Sequence, residues 1–558
     1  MLNFIIGRNN SGKTEKIRAL IAERASENKK CILIVPEQFS FESERSILEK
    51  IGAQKMLNVD ILSFTRLAFV INEQYGKALN KTIDDGTRKV LMSLSLEALS
   101  GKLEYFKRFS SKPALLSNLL TFVTELKQCA VTPDEIAEIS GKTGNKSLGK
   151  KLSELSLIAA SYDALVSRSF FDDENLLTIA ADMISETDFF DGKAVYFDAF
   201  CGFTKQERNC IKSILPKAEN VFISLCTDRD LSREGVSVFE NVNSEFSHLK
   251  ECAAEQNVGV SSPEILNVKE NGRSPELVYL EKYLCGEESE PYKEECDNIV
   301  VCAAGNRADE ADFVACEIKK LLRCNPTLRC RNIAVIERTA GTYDKELSES
   351  FKKYGVPMFE DKRRPIGIQP VMVFVKCLLA LCAEGFSTES FMRLLKTGLT
   401  ALSGDEISEL ENYAFLWNID GSKWRRDFTE NPDGLGFDVT EKSQEKLIRL
   451  NDIRKRSVLP VLAFKKDFEE ADGEKKSRLI YDFLIKNGVT EKLREKVEYL
   501  ISSGDTVLCE EQDTVWATLM DMLGKMASAI GETVITAKRY SELFNILLSA
   551  VTLGSLPQ

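Results

Sequence analysis

Histidine is almost absent from this chain of 558 residues, in which His248 is the single example. A zinc site with two histidine ligands is therefore excluded, and a Ser-His-Asp triad would need His248 as its base. His248 lies in the polar stretch NSEFSHLKE, where a solvated position on a helix is expected. The sequence thus argues against two large classes of hydrolase.

Long apolar runs and closely paired cysteines are also missing. The sequence has no run of 18 apolar residues and no C-x-x-C pair, which argues against a transmembrane helix and a zinc ribbon. The 15 cysteines are scattered, and many lie in apolar stretches where a free thiol acts as a small hydrophobe. A signal peptide is not expected, because Asn3 and Arg8 bracket too short an apolar run. We expect a cytoplasmic protein with no membrane partner.

Basic residues are in the minority, with 74 Lys and Arg against 86 Asp and Glu and a net charge of −12. This balance argues against a protein that coats nucleic acid over its whole surface. A local basic channel remains compatible with it, because recognition depends on local charge.

The N-terminal segment MLNFIIGRNNSGKT carries the clearest motif. A short apolar strand runs into a loop that fits G-x-x-x-x-G-K-[ST], and an amphipathic stretch follows. Such a loop presents backbone N–H groups to phosphate at a helix N-terminus, while the lysine reaches the β- and γ-phosphates and the threonine holds Mg²⁺. We therefore predict an ATP–Mg²⁺ site formed by Gly7, Arg8, Asn9, Asn10, Ser11, Gly12, Lys13 and Thr14.

Asp198 ends the apolar run AVYFD and is the best candidate for a second Mg²⁺ ligand, acting through water. Its alternative role is to cap the next turn. Active helicases place an acid directly after this aspartate, but here Ala199 follows. Loss of a general base costs about 10²–10⁴-fold in rate, so we expect ATP binding with slow turnover. Gln206 could sense the γ-phosphate, unless Thr204 simply caps the following helix.

Three segments are candidates for DNA contacts. PEQFSFESER and LSFTRLA each follow a strand, and there Phe39 and Phe64 could stack on bases while Arg66 binds phosphate. Aromatic residues in such positions are more often part of a core. The third segment, FEDKRRPIGIQP, is a solvated loop or a phosphate contact through Lys362, Arg363 and Arg364.

Periodicity divides the chain into α/β and helical parts, with a linker between. Apolar runs typical of buried parallel strands occur at Leu2–Ile6, Cys31–Val35, Val59–Leu62, Ala194–Phe197, Val221–Leu225, Ile299–Cys302 and Ile333–Ile336. Three- and four-residue spacing predicts helices from about 91 to 190 and after 380. The predicted parts are α/β (1–90 and 191–285), a helical insertion (91–190), an acidic linker (286–297), a second α/β part (298–380) and a helical block (381–558).

In their order, GRNNSGKT, VPEQFSFESE, LSFTRLA, TELKQCAVTPDEI, FDAFCGFTKQE and VPMFEDKRRPIGIQP resemble the B subunit of bacterial AddAB helicase–nucleases. The resemblance covers essentially the whole chain. It implies an α/β P-loop NTPase with two RecA-like superfamily-one helicase domains that carry helical insertions. It further implies a heterodimer with the A subunit, which is the motor, and contacts with single- and double-stranded DNA.

The family processes double-strand breaks for homologous recombination and recognises the Chi sequence. Its B subunit has degenerate motor motifs, and its full-length members continue into a nuclease with an iron–sulfur cluster. The cysteines here do not fit the pattern of that cluster, so we expect an N-terminal portion with neither nuclease nor cluster. Two alternatives remain: a scaffold with a vestigial nucleotide site that docks a motor subunit, and a P-loop phosphotransferase.

Overall fold

The computed structural model describes residues 1–76, 83–107, 112–169, 173–227, 238–267, 273–283, 290–359, 364–504 and 506–553. An α/β body takes up most of the first 283 residues. Its first elements are β1 (Leu2–Gly7), α1 (Lys13–Ser26), β2 (Cys31–Ile34), α2 (Ser40–Ile51), α3 (Ala53–Met56), β3 (Val59–Leu62) and α4 (Phe64–Tyr75).

A helical excursion then separates β3 from the next strand. It comprises α5 (Asp85–Ala98), α6 (Pro113–Gln128), α7 (Pro133–Lys142), α8 (Lys146–Ser169) and α9 (Asp173–Glu186). The α/β body resumes with β4 (Ala194–Phe197), α10 (Lys205–Ile214), β5 (Asn220–Cys226), α11 (Glu240–Glu255), β6 (Glu264–Ile265) and α12 (Pro275–Tyr283). Helix α9 packs on α4 and α10, so it belongs to this body.

The six strands form one parallel sheet in the order β3-β2-β4-β5-β1-β6. Alternate residues of β1 enter different layers: Phe4 and Ile6 face a core with α4, α9, α10 and α11, whereas Ile5 faces Ile17 and Ile21 of α1. The sheet is thus covered on both faces, which explains why its central strands are short and apolar. The α/β prediction and the five strand predictions before residue 226 are confirmed.

A smaller α/β-like unit follows between residues 298 and 359. Helices α13 (Arg307–Cys324) and α14 (Asp344–Tyr354) pack around Ala315, Ile318 and Phe351. The strand predictions for 299–302 and 333–336 are wrong for this structure, since both segments are irregular. They lack a neighbouring strand among the described residues, and Val301 and Ile336 are 93% and 91% exposed. A strand needs a hydrogen-bonded partner to form.

The rest of the described chain is helical. It contains α15 (Pro370–Ala383), α16 (Thr388–Leu395), α17 (Gly404–Leu416), α18 (Glu441–Glu470), α19 (Gly473–Lys486), α20 (Val489–Ser502), α21 (Thr506–Ile530) and α22 (Ala537–Ala550). A two-residue antiparallel pair, β7 (Arg364–Pro365) with β8 (Thr552–Leu553), joins the beginning and the end of this block.

The two helical segments, predicted as insertions into different domains, share one apolar core. Leu91 and Leu96 of α5 belong to the same cluster as Leu378 of α15 and Leu547 of α22. Two ion pairs cross the junction: Lys525 with Asp84, at 2.5 Å, and Arg539 with Glu97, at 2.9 Å. Within the described ranges, none of the helices has the length and apolar character needed to cross a bilayer.

Candidate nucleotide-binding site

The loop between β1 and α1 has the conformation that phosphate binding needs. Gly12 caps α1 with φ of 91°, in the left-handed region that glycine adopts without strain, and Asn10 has φ of 60°. A Cβ atom on Gly7 would lie 2.3 Å from Ser11 Oγ and 2.8 Å from the Leu266 carbonyl oxygen. Both glycines of the motif are therefore required by the backbone itself.

Lys13 lies over the concave side of this loop. Its Nζ donates hydrogen bonds to the carbonyl oxygens of Gly7 and Arg8, each at 2.8 Å. The Ser11 hydroxyl is 1% exposed, and no described atom lies within hydrogen-bonding distance of its Oγ. A buried hydroxyl without a partner is rare in proteins, so the loop has polar capacity left for a ligand. The residues present thus fit a phosphate group.

Arg8 is turned away from the concave side. Its Nη1 donates to the carbonyl oxygens of Glu281 and Lys282, at 3.3 and 3.0 Å, at the end of α12. The guanidinium carbon also lies 5.4 Å from the ring centroid of Phe239. The Arg8 side chain therefore anchors α12, and only its backbone remains in the predicted phosphate cradle. Asn9 and Asn10 are exposed at the tip of the loop.

Asp198 follows β4 and is 5% exposed. Its Oδ1 accepts a hydrogen bond from the Ser224 hydroxyl of β5, at 2.5 Å, and its backbone N–H donates to Ile34, at 3.1 Å. Strand β5 lies between β4 and β1 in the sheet, and all three strands end at the same edge. Asp198 and the half-buried Thr14 are thus presented at one edge of a parallel sheet, where ligands of such sheets bind.

Two hydroxyl residues of this edge were not predicted. Ser224 bonds Asp198, and Thr227, directly after β5, is fully buried with its Oγ1 donating to Asn243 at 2.6 Å. Neither has a sequence signal, because a Ser or Thr within an apolar strand is unremarkable without the fold. The described ranges contain no group of three or more His, Cys, Asp or Glu that could hold a metal. Mg²⁺ would therefore depend on Thr14, Asp198 and the phosphates together.

Ala199 stands where an active motor would have its second acid, and its φ is 66°. Downstream, Thr204 caps α10: its hydroxyl accepts from the Glu207 N–H, and the Glu207 carboxylate accepts from the Thr204 N–H. The alternative interpretation of this segment, a capped helix, is the one that the structure has. Gln206 is buried and donates to Thr178 of α9 at 2.9 Å, so its role as a γ-phosphate sensor stays a prediction.

The two predicted DNA segments after β2 and β3 reach the same sheet edge. Phe39 is 38% exposed, and Arg66 is exposed on the first turn of α4. Phe64 is only 6% exposed and packs on Phe197 and Phe200, with ring centroids 5.8 and 5.5 Å away. Its ring meets a DNA base only if a neighbour moves, so stacking by Phe64 stays a prediction without geometric support.

The third predicted DNA segment has a structural partner. Arg364 belongs to β7, and its guanidinium lies 3.2 Å from the Glu511 carboxylate of α21. An arginine that already pairs with a carboxylate offers less charge to a phosphate. Lys362 and Arg363 lie outside the described residues.

Comparison with known proteins supports one assignment throughout. Residues 4–281 match the family described as "ADDB, N-terminal". The chain is 29% identical to the B subunit of the ATP-dependent helicase/deoxyribonuclease of Acetivibrio thermocellus and 28% identical to those of Clostridium acetobutylicum and Thermoanaerobacter sp.. Each alignment covers 100% of this chain and 49% of the relative, so the chain spans about half their length. The chain belongs to the AddB family, whose N-terminal region it matches.

Proposed function

We propose that this chain binds ATP and Mg²⁺ in the loop after β1 and works as the B subunit of a DNA-processing helicase–nuclease. The observation that carries the proposal is the loop itself. Lys13 is held over a concave backbone by the carbonyls of Gly7 and Arg8, beside the unpartnered hydroxyl of Ser11. Phosphate oxygens would replace the two carbonyls as acceptors for the ammonium and would satisfy that hydroxyl.

Slow hydrolysis belongs to the same proposal. Thr14 and Asp198 would hold Mg²⁺, which supplies charge neutralisation at the β- and γ-phosphates. Directly after Asp198 comes Ala199, which has no group that could take a proton from water. ATP at this site would then serve mainly to set the conformation or the assembly of the protein.

We further infer that residues 298–359 are the first part of a second RecA-like domain. The exposed apolar segments at 299–302 and 333–336 have the composition of inner strands, and each leads to a helix, as in a β-α-β-α unit. The pair of β7 with β8 supports this, because the chain returns at 552–553 to the point where it left this unit. Strands supplied by a longer relative's C-terminal half would cover both segments.

Partners follow from the family. Relatives that are named as B subunits imply a second protein in the complex, and we propose a heterodimer with the A subunit. Phe39 and Arg66 would contact single-stranded DNA at the same sheet edge as ATP, which suits a protein that helps to read Chi during break repair. Nuclease activity and an iron–sulfur cluster would belong to regions outside this chain.

The experiment that tests the nucleotide site is calorimetric titration with ATP and Mg²⁺. We expect Lys13→Ala to weaken binding about tenfold to a hundredfold, because a hydrogen bond from an ammonium to phosphate is lost. Lys16→Ala is the matched control, since Lys16 lies on the same helix and pairs with Glu264 at 2.7 Å. Circular dichroism of both variants would check that the fold is intact.

Three results would contradict the proposal. If ATP binds equally well to Lys13→Ala, the loop is not the site. If no ATP binds to the unmodified chain although it associates tightly with the motor protein, the vestigial scaffold is the correct function. Rapid turnover stimulated by a small molecule and not by DNA would favour a phosphotransferase.

A further inference from the structure

Three tyrosines form a compact group next to the phosphate loop. Tyr279 and Tyr283 lie one turn apart on α12, with ring centroids 4.4 Å apart, and the ring of Tyr292 lies 5.0 Å from that of Tyr279. Each ring is half-buried, so part of its surface faces solvent. We call Tyr279, Tyr283 and Tyr292 the tyrosine cluster.

Arg8 fixes the position of this cluster relative to the loop. Its guanidinium binds the Glu281 and Lys282 carbonyls, and Tyr283 is the next residue along the chain. Because Arg8 directly follows Gly7 and is itself part of the loop, the end of α12 stands at the rim of the phosphate site. The aromatic surface is therefore adjacent to the proposed site and is not a feature of a remote face.

The order of the strands decides which end of a nucleotide points to the cluster. Asp198 and Ser224, on β4 and β5, lie on one side of β1, and the metal with the terminal phosphates must lie towards them. β6 and the chain that continues into α12 lie on the other side of β1. A phosphate chain with its γ end towards Asp198 thus directs its nucleoside end towards α12.

Building on the ATP site proposed above, we propose that the tyrosine cluster receives the purine base of the bound nucleotide, with Tyr283 as the stacking partner. The ammonium of Lys282 lies 5.0 Å from the centroid of the Tyr283 ring, so a face of that ring is open to ligands. The Tyr279 hydroxyl donates to the Glu290 carbonyl, which fixes Tyr279 as the support behind it. Stacking tolerates any base, and a purine offers the larger surface.

Two ligands separate base recognition from phosphate recognition. ATP and inorganic tripolyphosphate, each with Mg²⁺, are titrated calorimetrically into the full 558-residue chain and its variants. We expect Tyr283→Ala to weaken ATP binding about tenfold, the usual contribution of one base–aromatic stack, and to leave tripolyphosphate binding unchanged. Tyr283→Phe keeps the ring and should keep the ATP affinity within about twofold. Tyr499→Ala, at an exposed tyrosine of α20, is the matched control.

Each other outcome has a definite meaning. Unchanged ATP affinity in Tyr283→Ala overturns the base site while the phosphate site stands. Equal weakening of both ligands shows that the residue only supports α12, and it also overturns the proposal. Lys13→Ala should weaken both ligands, and failure of both to bind the unmodified chain would remove the nucleotide site itself.

Discussion

Ala199 has a left-handed backbone directly after the buried Asp198. For a residue with a Cβ atom this conformation costs about 1 kcal/mol or more, because Cβ crowds the following carbonyl. The turn that follows β4 imposes it, since Asp198 is held by both Ile34 and Ser224. Strain at this position is thus stored next to the proposed metal ligand.

We expect Ala199→Gly to raise the free energy of unfolding by about 0.5–1 kcal/mol, because glycine removes the strain and its greater freedom in the unfolded chain offsets part of the gain. Thermal or urea unfolding measures the change. Ala19→Gly, at an exposed site within α1, is the control and should lower stability by about 1 kcal/mol. A loss of stability in Ala199→Gly would mean that this turn is not left-handed.

At this scale the sequence predicts residues that belong to a motif and misses those that the fold brings to it. Gly7, Gly12 and Lys13 follow from a spacing that only one loop geometry satisfies. Ser224 and Tyr283 become site residues through strand order and through the contact of Arg8 with α12, and neither leaves a pattern in the sequence.

At the scale of elements, the loops after β1, β2, β3, β4 and β5 all open at one edge of the sheet. The phosphate loop, the Phe39 segment, the Arg66 segment and Asp198 share this edge because the strands are parallel. The proposed ATP and DNA contacts are therefore neighbours, and occupancy of one can influence the other through the short loops between them.

Arg66 allows the DNA interface to be tested. We expect Arg66→Ala to weaken binding of a labelled single-stranded oligonucleotide severalfold and to reduce the slope of log K against log salt by about 0.7, since one phosphate contact is lost. Fluorescence anisotropy at several salt concentrations measures both. Arg494→Ala, at an exposed arginine of α20, serves as the control. An unchanged affinity and slope would place the DNA elsewhere.

Apolar runs proved sufficient to locate a strand only where neighbours exist. Five runs before residue 226 became strands of the sheet, whereas those at 299–302 and 333–336 did not, although their composition is the same. Composition predicts the capacity to be an inner strand, and pairing decides the outcome. β6 escaped prediction for the opposite reason: Glu264–Ile265 is exposed and is defined only by pairing with β1.

At the scale of the whole molecule, the helices after residue 83 and those after residue 366 form one core. Amphipathic spacing predicts that each helix has an apolar face, but not which helix covers it, so the shared core could not be predicted. Segments as far apart in the chain as Glu97 and Arg539 thus depend on each other for stability.

Gly86 lies at the closest approach of these two segments. A Cβ atom there would stand 2.4 Å from Cδ1 of Leu547, which is fully buried and has no room to move. We expect Gly86→Ala to lower the free energy of unfolding by about 1–3 kcal/mol through overpacking. Gly524→Ala is the matched control: nothing lies near its Cβ position within α21, so it should gain about 1 kcal/mol. Chemical denaturation compares them, and stabilisation by both would contradict the close packing of α5 on α22.

Helix α12 behaves as a strut with both ends pinned. At one end Arg8 of the phosphate loop binds its last carbonyls, and at the other the Glu276 carboxylate accepts from the backbone and side chain of Asn298, at 3.1 and 2.7 Å. The Asn298 hydrogen bonds lower the Glu276 pKa to about 2, so this end holds as an anion at neutral pH. Nine residues span about 13 Å, and a helix does not stretch. Free energy spent in moving the loop is therefore felt at residue 298, and by thermodynamic reciprocity a load applied at residue 298 must alter the affinity of the loop for its ligand.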